Sequence, residues 1–326
     1  IGKTRTTAFA FVDPTTTRNP YNPAHTPGGS SSGSGAVVGA GVAPFALGTQ
    51  TAGSLLRPAA YCGAFAFKPS LGAWPTSGMC PLSRSFDAVG VIAHELDWLT
   101  RVYDVLAAAF GGRRTSAPSR PLRIGKAAVD AQSPDADAVR AMEDLAVRIA
   151  AAGHAVTTVC PPADMFPGLI AAHRTIMLAE AARDLASIIG DARDDLPPRL
   201  AAGLAEGRAI GAPDVATAQA EVLGMRQDFW DIHSGFDAIL AYPASGAAPE
   251  GLTTTGDQSY QTPWTALGGP LVELPCGLAP NGLPVGVMLA APPGADGALM
   301  NVAAAFAPLL PETPRPRMEP PVSPEG

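Results

Sequence analysis

The chain has 326 residues, 47% of them hydrophobic and 16% charged, with a formal net charge of −7. This length suits one large domain or two ordinary ones. Its 22 Lys and Arg residues form no cluster, which disfavours nucleic-acid binding, and no uninterrupted apolar run reaches transmembrane length.

Residues 1–20 read as a short strand or turn followed by a Thr-rich loop, entering at a sheet edge. Gly28–Gly35 has the composition of a flexible Gly/Ser linker. A linker would not feed into residues 36–48, which carry no charge and no strongly polar side chain and so read as buried structure. A phosphate loop would end in Gly-Lys-Ser/Thr, which is absent. Gly29-Ser30-Ser31-Ser32-Gly33 fits the G-x-S-x-G elbow, but that motif follows a buried strand, and Pro20, Pro23 and Pro27 rule one out. Gly48–Gly53 is a second small-residue turn, with a helix predicted to begin at Ser54. Backbone N–H groups at a helix start lack intrahelical acceptors and favour negative charge. Acyl transfer needs such donors, each worth about 3 kcal/mol of barrier. The plain alternative for Ser54 is an N-cap. Two glycine-flanked hydroxyls on separate turns, joined by a short apolar excursion, make a nucleophile and its partner, and the pairing favours catalysis.

Further along, Ala64–Phe67 reads as a short strand and 71–81 as a loop whose Trp74 is expected in the core rather than lining a pocket. Glu95–Phe110 carries an apolar stripe at helical spacing (Leu96, Leu99, Val102, Tyr103, Leu106), and 111–120 is a polar connector. Leu122–Gly125, a helix over Asp135–Ala152 and Ala155–Val159 form a strand–helix–strand unit, which predicts a parallel pair. In that helix Val139, Met142, Leu145 and Ile149 are expected inward, with Ser133 as N-cap before Pro134. Residues 167–232 are predicted mostly helical, broken at Pro197-Pro198 and 211–213, with Glu180 and Arg183 as an exposed ion pair. Phe236–Tyr242, Leu271–Pro275 and Val285–Leu289 read as strands, the last two joined through an Asn281-Gly282 turn, and Ala298–Leu309 as a helix. From Pro311 the proline content predicts a disordered tail. Cys62, Cys80, Cys160 and Cys276 show no C-x-x-C spacing and suggest reduced, partly buried thiols without a metal site. With no signal-like N-terminus, the expectation is a cytoplasmic protein.

PGGSSSGS (27–34), GTQTAGSLLRPAAYCG (48–63) and KPS (68–70) together resemble the amidase signature family, serine hydrolases with a Ser–cis-Ser–Lys triad. The 24-residue spacing of Ser30 and Ser54 matches that family's cis-serine and nucleophile. IGKTRTTAFA, NPYNP and GTQTAGSLLRP look most like the malonamidase-type branch, and the similarity continues through SFDAVG (85–90), TGDQSYQTPWTALGGP and GLPVGVML. The resemblance implies an α/β fold with a mixed central sheet flanked by helices on both faces, one domain over 1–310 and no cofactor. Its substrate would be a small-molecule amide, with no nucleic-acid or membrane partner and with a homodimer compatible. It makes Ser54 the nucleophile and Ser30 the bridging serine on a cis Gly29–Ser30 peptide. The amides of Thr51, Ala52, Gly53 and Ser54 would form the oxyanion hole, with Ser32 and Thr49 as supporting hydroxyls. Arg57 would face a substrate carboxylate, a task suited to its planar fork, or else fix the loop before Pro58. Asp87 would be structural, and the helices over 167–232 would cover the active site. Related glutaminase subunits of tRNA-dependent amidotransferases, and a non-catalytic remnant of the fold, are the alternatives.

Three positions depart from the family pattern: Ala52 replaces a usual Gly, Met288 a usual Gln, and the triad lysine is missing. Lys3, Lys68 and Lys126 are the only lysines, and none sits at the catalytic position, which lies upstream of the Gly2-Lys3-Thr4 segment. Ile1, where an initiator Met would stand, points to N-terminal truncation. A serine needs a base to take its proton, so the polypeptide as given is expected to be inactive or severely impaired. Among the histidines, His25 is nearest to Ser30 in sequence and a poor substitute, since a base must lie about 3 Å away with an orienting partner.

Overall fold

Short stretches of small and branched apolar residues set the strands, and longer amphipathic stretches the helices. The computed structural model describes residues 17–110, 114, 119–129, 132–189, 196 and 198–316. Its first half contains helix α1 (Ser32–Gly39), strand β1 (Phe45–Gln50), helix α2 (Leu56–Tyr61), strands β2 (Phe65–Lys68) and β3 (Ala88–Ala93), and helix α3 (Leu96–Phe110). Next come β4 (Arg123–Ala127), α4 (Ala136–Ala151), β5 (Ala155–Val159) and three helices, α5 (Met165–Ile189), α6 (Pro198–Ala209) and α7 (Ala212–Ile232). Strand β6 (Ala238–Ala241), helix α8 (Thr262–Ala266), strands β7 (Leu271–Leu278) and β8 (Pro284–Ala290), and helix α9 (Asp296–Phe306) complete it. The segment expected at 1–20, most of the 111–120 connector, the break at Pro197 and the end of the tail lie largely outside the described residues. No described helix is long and apolar enough to cross a membrane.

The strands form one eight-stranded sheet in the order β1-β3-β2-β7-β8-β6-β4-β5. Only β4 with β5 and β4 with β6 run parallel, so the predicted strand–helix–strand pair is present. Residues alternate between the faces, as the two-residue period of a strand requires. Phe67, Ile124, Leu240, Val272, Leu274, Val287 and Leu289 meet α3, α4 and α9 on one side. Ala66, Ile92, Ile239, Leu271, Met288 and Ala290 meet α1, α2, α5, α7 and α8 on the other. Helices α5 and α6 pack on each other through Leu178, Ala181, Leu185, Leu200 and Leu204, a smaller core beside the sheet. Trp74 is buried against Phe67 and Tyr103, in the core as expected.

Four local expectations are corrected. The apolar excursion is not buried throughout: Val42, Phe45 and Leu47 are exposed, because β1 is the edge strand and residues 40–44 are the tip leading into it. Asp135, not Ser133, is the N-cap of α4, with Pro134 intervening. Val139 faces outward, and Ala138, Ala141 and Ala146 join Met142, Leu145 and Ile149 on the buried face. Glu180 is buried, accepting hydrogen bonds from Ser83 Oγ and from Ser85 N and Oγ, while Arg183 pairs with Asp184.

Glu273, in the middle of β7, is fully buried, with neither carboxyl oxygen hydrogen-bonded among the described residues. Its cross-strand neighbours, Met288 on β8 and Ala66 on β2, offer no side-chain donor. Burial pushes its pKa well above the usual carboxylate range, so the folded protein holds it neutral. The stability it permits is therefore full at acid pH and is lost as pH rises from the unfolded value, about 4.3, toward the folded one. Glu273→Met should raise stability by about 1–3 kcal/mol at pH 8 and by less at pH 4, measured by urea unfolding.

Candidate active site

The two serine turns meet because the helix after the first presents glycines to the helix after the second. A Cβ on Gly35 would lie 2.9 Å from the Pro58 carbonyl oxygen, and one on Gly39 would collide with that of Cys62. Helix α1 thus rests directly on α2. Ser31 N–H then donates to the Ser54 carbonyl at 3.1 Å, and Arg57 Nη2 to the Gly29 carbonyl at 2.8 Å. Ser31 Oγ exchanges hydrogen bonds with the Thr49 backbone, and Ser32 Oγ donates to the Gly28 carbonyl at 2.7 Å. The Gly29–Ser30 peptide is cis, and a Cβ on Gly29 would press on Thr255 at 2.6 Å. Ser30 and Ser54 are both half-buried, and no hydrogen bond within the described residues engages either hydroxyl.

Ser54 lies in a turn rather than in a helix: α2 starts two residues later, with Leu55 as N-cap and no side-chain cap from the serine. The N-cap alternative for Ser54 therefore fails. Gln50 does that work, its Oε1 accepting from Leu55 N–H at 3.0 Å and Leu56 N–H at 3.1 Å. The turn is anchored by its carbonyls. Thr51 C=O accepts from His173 Nε2 at 2.8 Å, Ala52 C=O from Thr265 Oγ1 at 2.5 Å, and Gly53 C=O from Arg57 N–H at 3.2 Å. Gln50 Nε2 in turn donates to Thr265 Oγ1, and Thr51 Oγ1 donates to Asp87 at 2.6 Å. Asp87 also accepts from the Leu82 and Ser83 amides. With its carbonyls turned into the protein, the loop leaves the amides of Thr51, Ala52, Gly53 and Ser54 without an acceptor among the described residues. Such a row of free donors can hold a developing oxyanion.

Arg57 is fully buried, and its Nη2 also donates to Thr255 Oγ1 at 3.2 Å, whereas Nε and Nη1 have no partner among the described residues. Burial lowers its pKa, opposed by Tyr61 and Asp257. Gln261 donates through Nε2 to the Pro243 carbonyl at 2.6 Å, leaving Oε1 without a partner. A Cβ on Gly53 would sit 3.1 Å from that oxygen and 3.2 Å from Arg57 Nη1, so both orphaned groups flank the turn. The described lysines serve elsewhere. Lys68 Nζ donates to the Pro69 and Gly269 carbonyls, with burial bringing its pKa down to about 7, and Lys126 pairs with Glu143. Lys3 lies outside the described residues. His25 Nδ1 donates to the Ala248 carbonyl and is not poised on Ser30. No cluster of metal-binding side chains occurs among the described residues.

Gln50, His173, Thr255, Gln261 and Thr265 are site residues that sequence reasoning did not single out. Gln50 alone had a local signal, as the one amide side chain within an otherwise small-residue turn.

A family model described as Amidase matches residues 1–300. A glutamyl-tRNA(Gln) amidotransferase subunit of Thermus thermophilus is 29% identical over 359 residues, covering 94% of this chain and 74% of that protein. Amidase 1 of Arabidopsis thaliana is 50% identical over a shorter stretch of 91 residues, 28% of this chain and 21% of its own. Among solved structures, a crystal structure of an amidase superposes with a TM-score of 0.79 at 26% identity, covering 90% of this chain and 69% of the other.

Replacing Gln50 by Met would orphan two buried helix-start amides and leave Thr265 Oγ1 without its donor. The expected loss is about 3 kcal/mol of stability, read from the urea midpoint at unchanged slope.

Proposed function

The chain belongs to the amidase family, and from that premise we propose that it hydrolyses the C–N bond of a small linear amide through an acyl-enzyme on Ser54. The observation that carries this reading is the contact of the two serine turns beside the unpaired amides of residues 51–54. Ser54 Oγ would attack the amide carbon while its proton passes to Ser30 Oγ, whose own proton moves on to a base. The carbonyl oxygen, now negative, would be held by the turn amides. Collapse would break the C–N bond, the amine leaving with the proton returned through Ser30, and water would then release the acid by the same relay. Among the described residues no base engages Ser30; in the family this chain resembles, that base is a lysine. Hydrogen bonds between catalytic groups commonly tighten only once substrate is bound, which accommodates the unengaged hydroxyls.

A carboxylate on the substrate is supported by Arg57, whose Nε and Nη1 are buried without an acceptor. A guanidinium in that state gains most from an anion that accepts two hydrogen bonds. The monoamide of a short dicarboxylic acid, as in the malonamidase-type branch, meets that description. The names of the amidotransferase relatives favour a second reading, a glutaminase-type subunit, in which glutamine would be the amide cleaved and partner subunits would be required.

Two measurements on the full-length protein test this. Ser54→Ala should lower amide turnover by roughly 1000-fold or more without unfolding the protein, since the nucleophile is lost; activity within tenfold of the parent would remove Ser54 from its role. Arg57→Met should raise KM for a carboxylate-bearing amide about tenfold more than for a neutral amide of equal size, about 1.4 kcal/mol of selective binding. Equal effects on the two substrates would leave Arg57 a structural group, and preference for glutamine would move the reading to the glutaminase type.

A further inference from the structure

We infer that His173, on the covering helix α5, is a positioning residue for the oxyanion turn, aiming the Ala52 amide at the reacting oxygen. The inference rests on the assignment of residues 51–54 proposed above. A trans peptide unit carries its C=O and the following N–H on opposite sides. Fixing the Thr51 carbonyl against His173 Nε2 at 2.8 Å therefore points the Ala52 N–H the other way, where it has no acceptor among the described residues.

The ring is held for this task. It is buried and stacked on Phe86, with centroids 4.2 Å apart and planes 29° off parallel. A carbonyl can only accept, so Nε2 carries the proton. Burial pushes the ring's pKa down to about 4, against smaller upward effects from the Thr51 hydrogen bond and Glu180, so the imidazole is neutral at ordinary pH. The same helix grips the neighbouring loop two turns further on, where Glu180 accepts from Ser83 and Ser85. That loop ends in Asp87, which holds the Thr51 hydroxyl. Thr51 is thus pinned at its carbonyl directly by α5 and at its side chain by a loop that α5 anchors. Thr265 performs the corresponding service one peptide later, fixing Ala52 C=O and so aiming Gly53 N–H. Lost donors of this kind cost rate because the amides must be preorganised where charge develops.

His173→Phe keeps the stack and the volume but removes the donor; His173→Gln keeps a donor that can reach the same carbonyl. In the full-length protein, H173F should lower kcat 10- to 100-fold with KM within about twofold, and H173Q should recover most of the loss. A purely structural histidine would instead lower the melting temperature while leaving kcat per folded molecule intact. That outcome, or an H173F kcat within twofold of the parent, overturns the inference. An activity-independent arm follows the amide resonances of Thr51, Ala52 and Gly53 in 15N-labelled protein. H173F should shift them and alter their hydrogen exchange, H173Q should not, and unchanged resonances in H173F would also overturn the inference. If the parent hydrolyses no amide, the hydrolase reading fails, while the resonance arm still decides whether His173 orients the turn.

Discussion

The site depends on the close approach of two short helices, the first of which presents glycine where it touches the second. Gly35 and Gly39 bring α1 onto the backbone of α2, and only at that distance can the amide of Ser31 reach the carbonyl of Ser54. A methyl group at either glycine would hold the turns apart and separate the two hydroxyls. The glycine-rich composition that resembles a flexible linker is here the condition for a rigid contact. Glycine carries an entropic cost on folding, and neighbouring hydrogen bonds from Ser31, Ser32 and Arg57 offset it by fixing the same segment.

A second constraint concerns direction. Free backbone amides are useful only if they point together, and in this turn their aim is set from behind, by the partners of the carbonyls. His173, Thr265 and the Arg57 amide each take one. These partners come from three separate elements, α5, α8 and α2. The turn is therefore a junction of the fold, and its geometry cannot be preserved by its own sequence alone. Gln50 ties two of these supports together, since one end of its amide holds the start of α2 and the other holds Thr265.

Much of this was legible in the sequence. The apolar stripes of α3 and α4 and the strand–helix–strand order identified elements whose burial follows from local periodicity. Strands β7 and β8 were equally plain, their mostly apolar residues lying buried on both faces at the middle of the sheet. Strand β1 was blurred by the exposure of its outer half and the polar residues at its end, and β3 was hidden in a segment read only for Asp87. The two serines announced themselves through glycine and spacing. Their supports did not. His173 sits in an amphipathic helix where nothing in the neighbouring residues distinguishes a surface position from one facing a carbonyl. Glu180 and Arg183 have a spacing that suits an ion pair, and only the tertiary docking of the 82–87 loop turns Glu180 inward. Helical period reports a face; it does not report what lies against it.

Helix α5 belongs to the layer that covers the serine turns on one face of the sheet. Here the roof is also a brace. Anyone wishing to reshape the cleft by transplanting this helix from another scaffold would import a new outline and, with it, a new tension on the loop beneath. On that reading breadth of choice and speed of reaction would not be independent dials, and a graft sparing residues 173 and 180 would leave the second dial untouched.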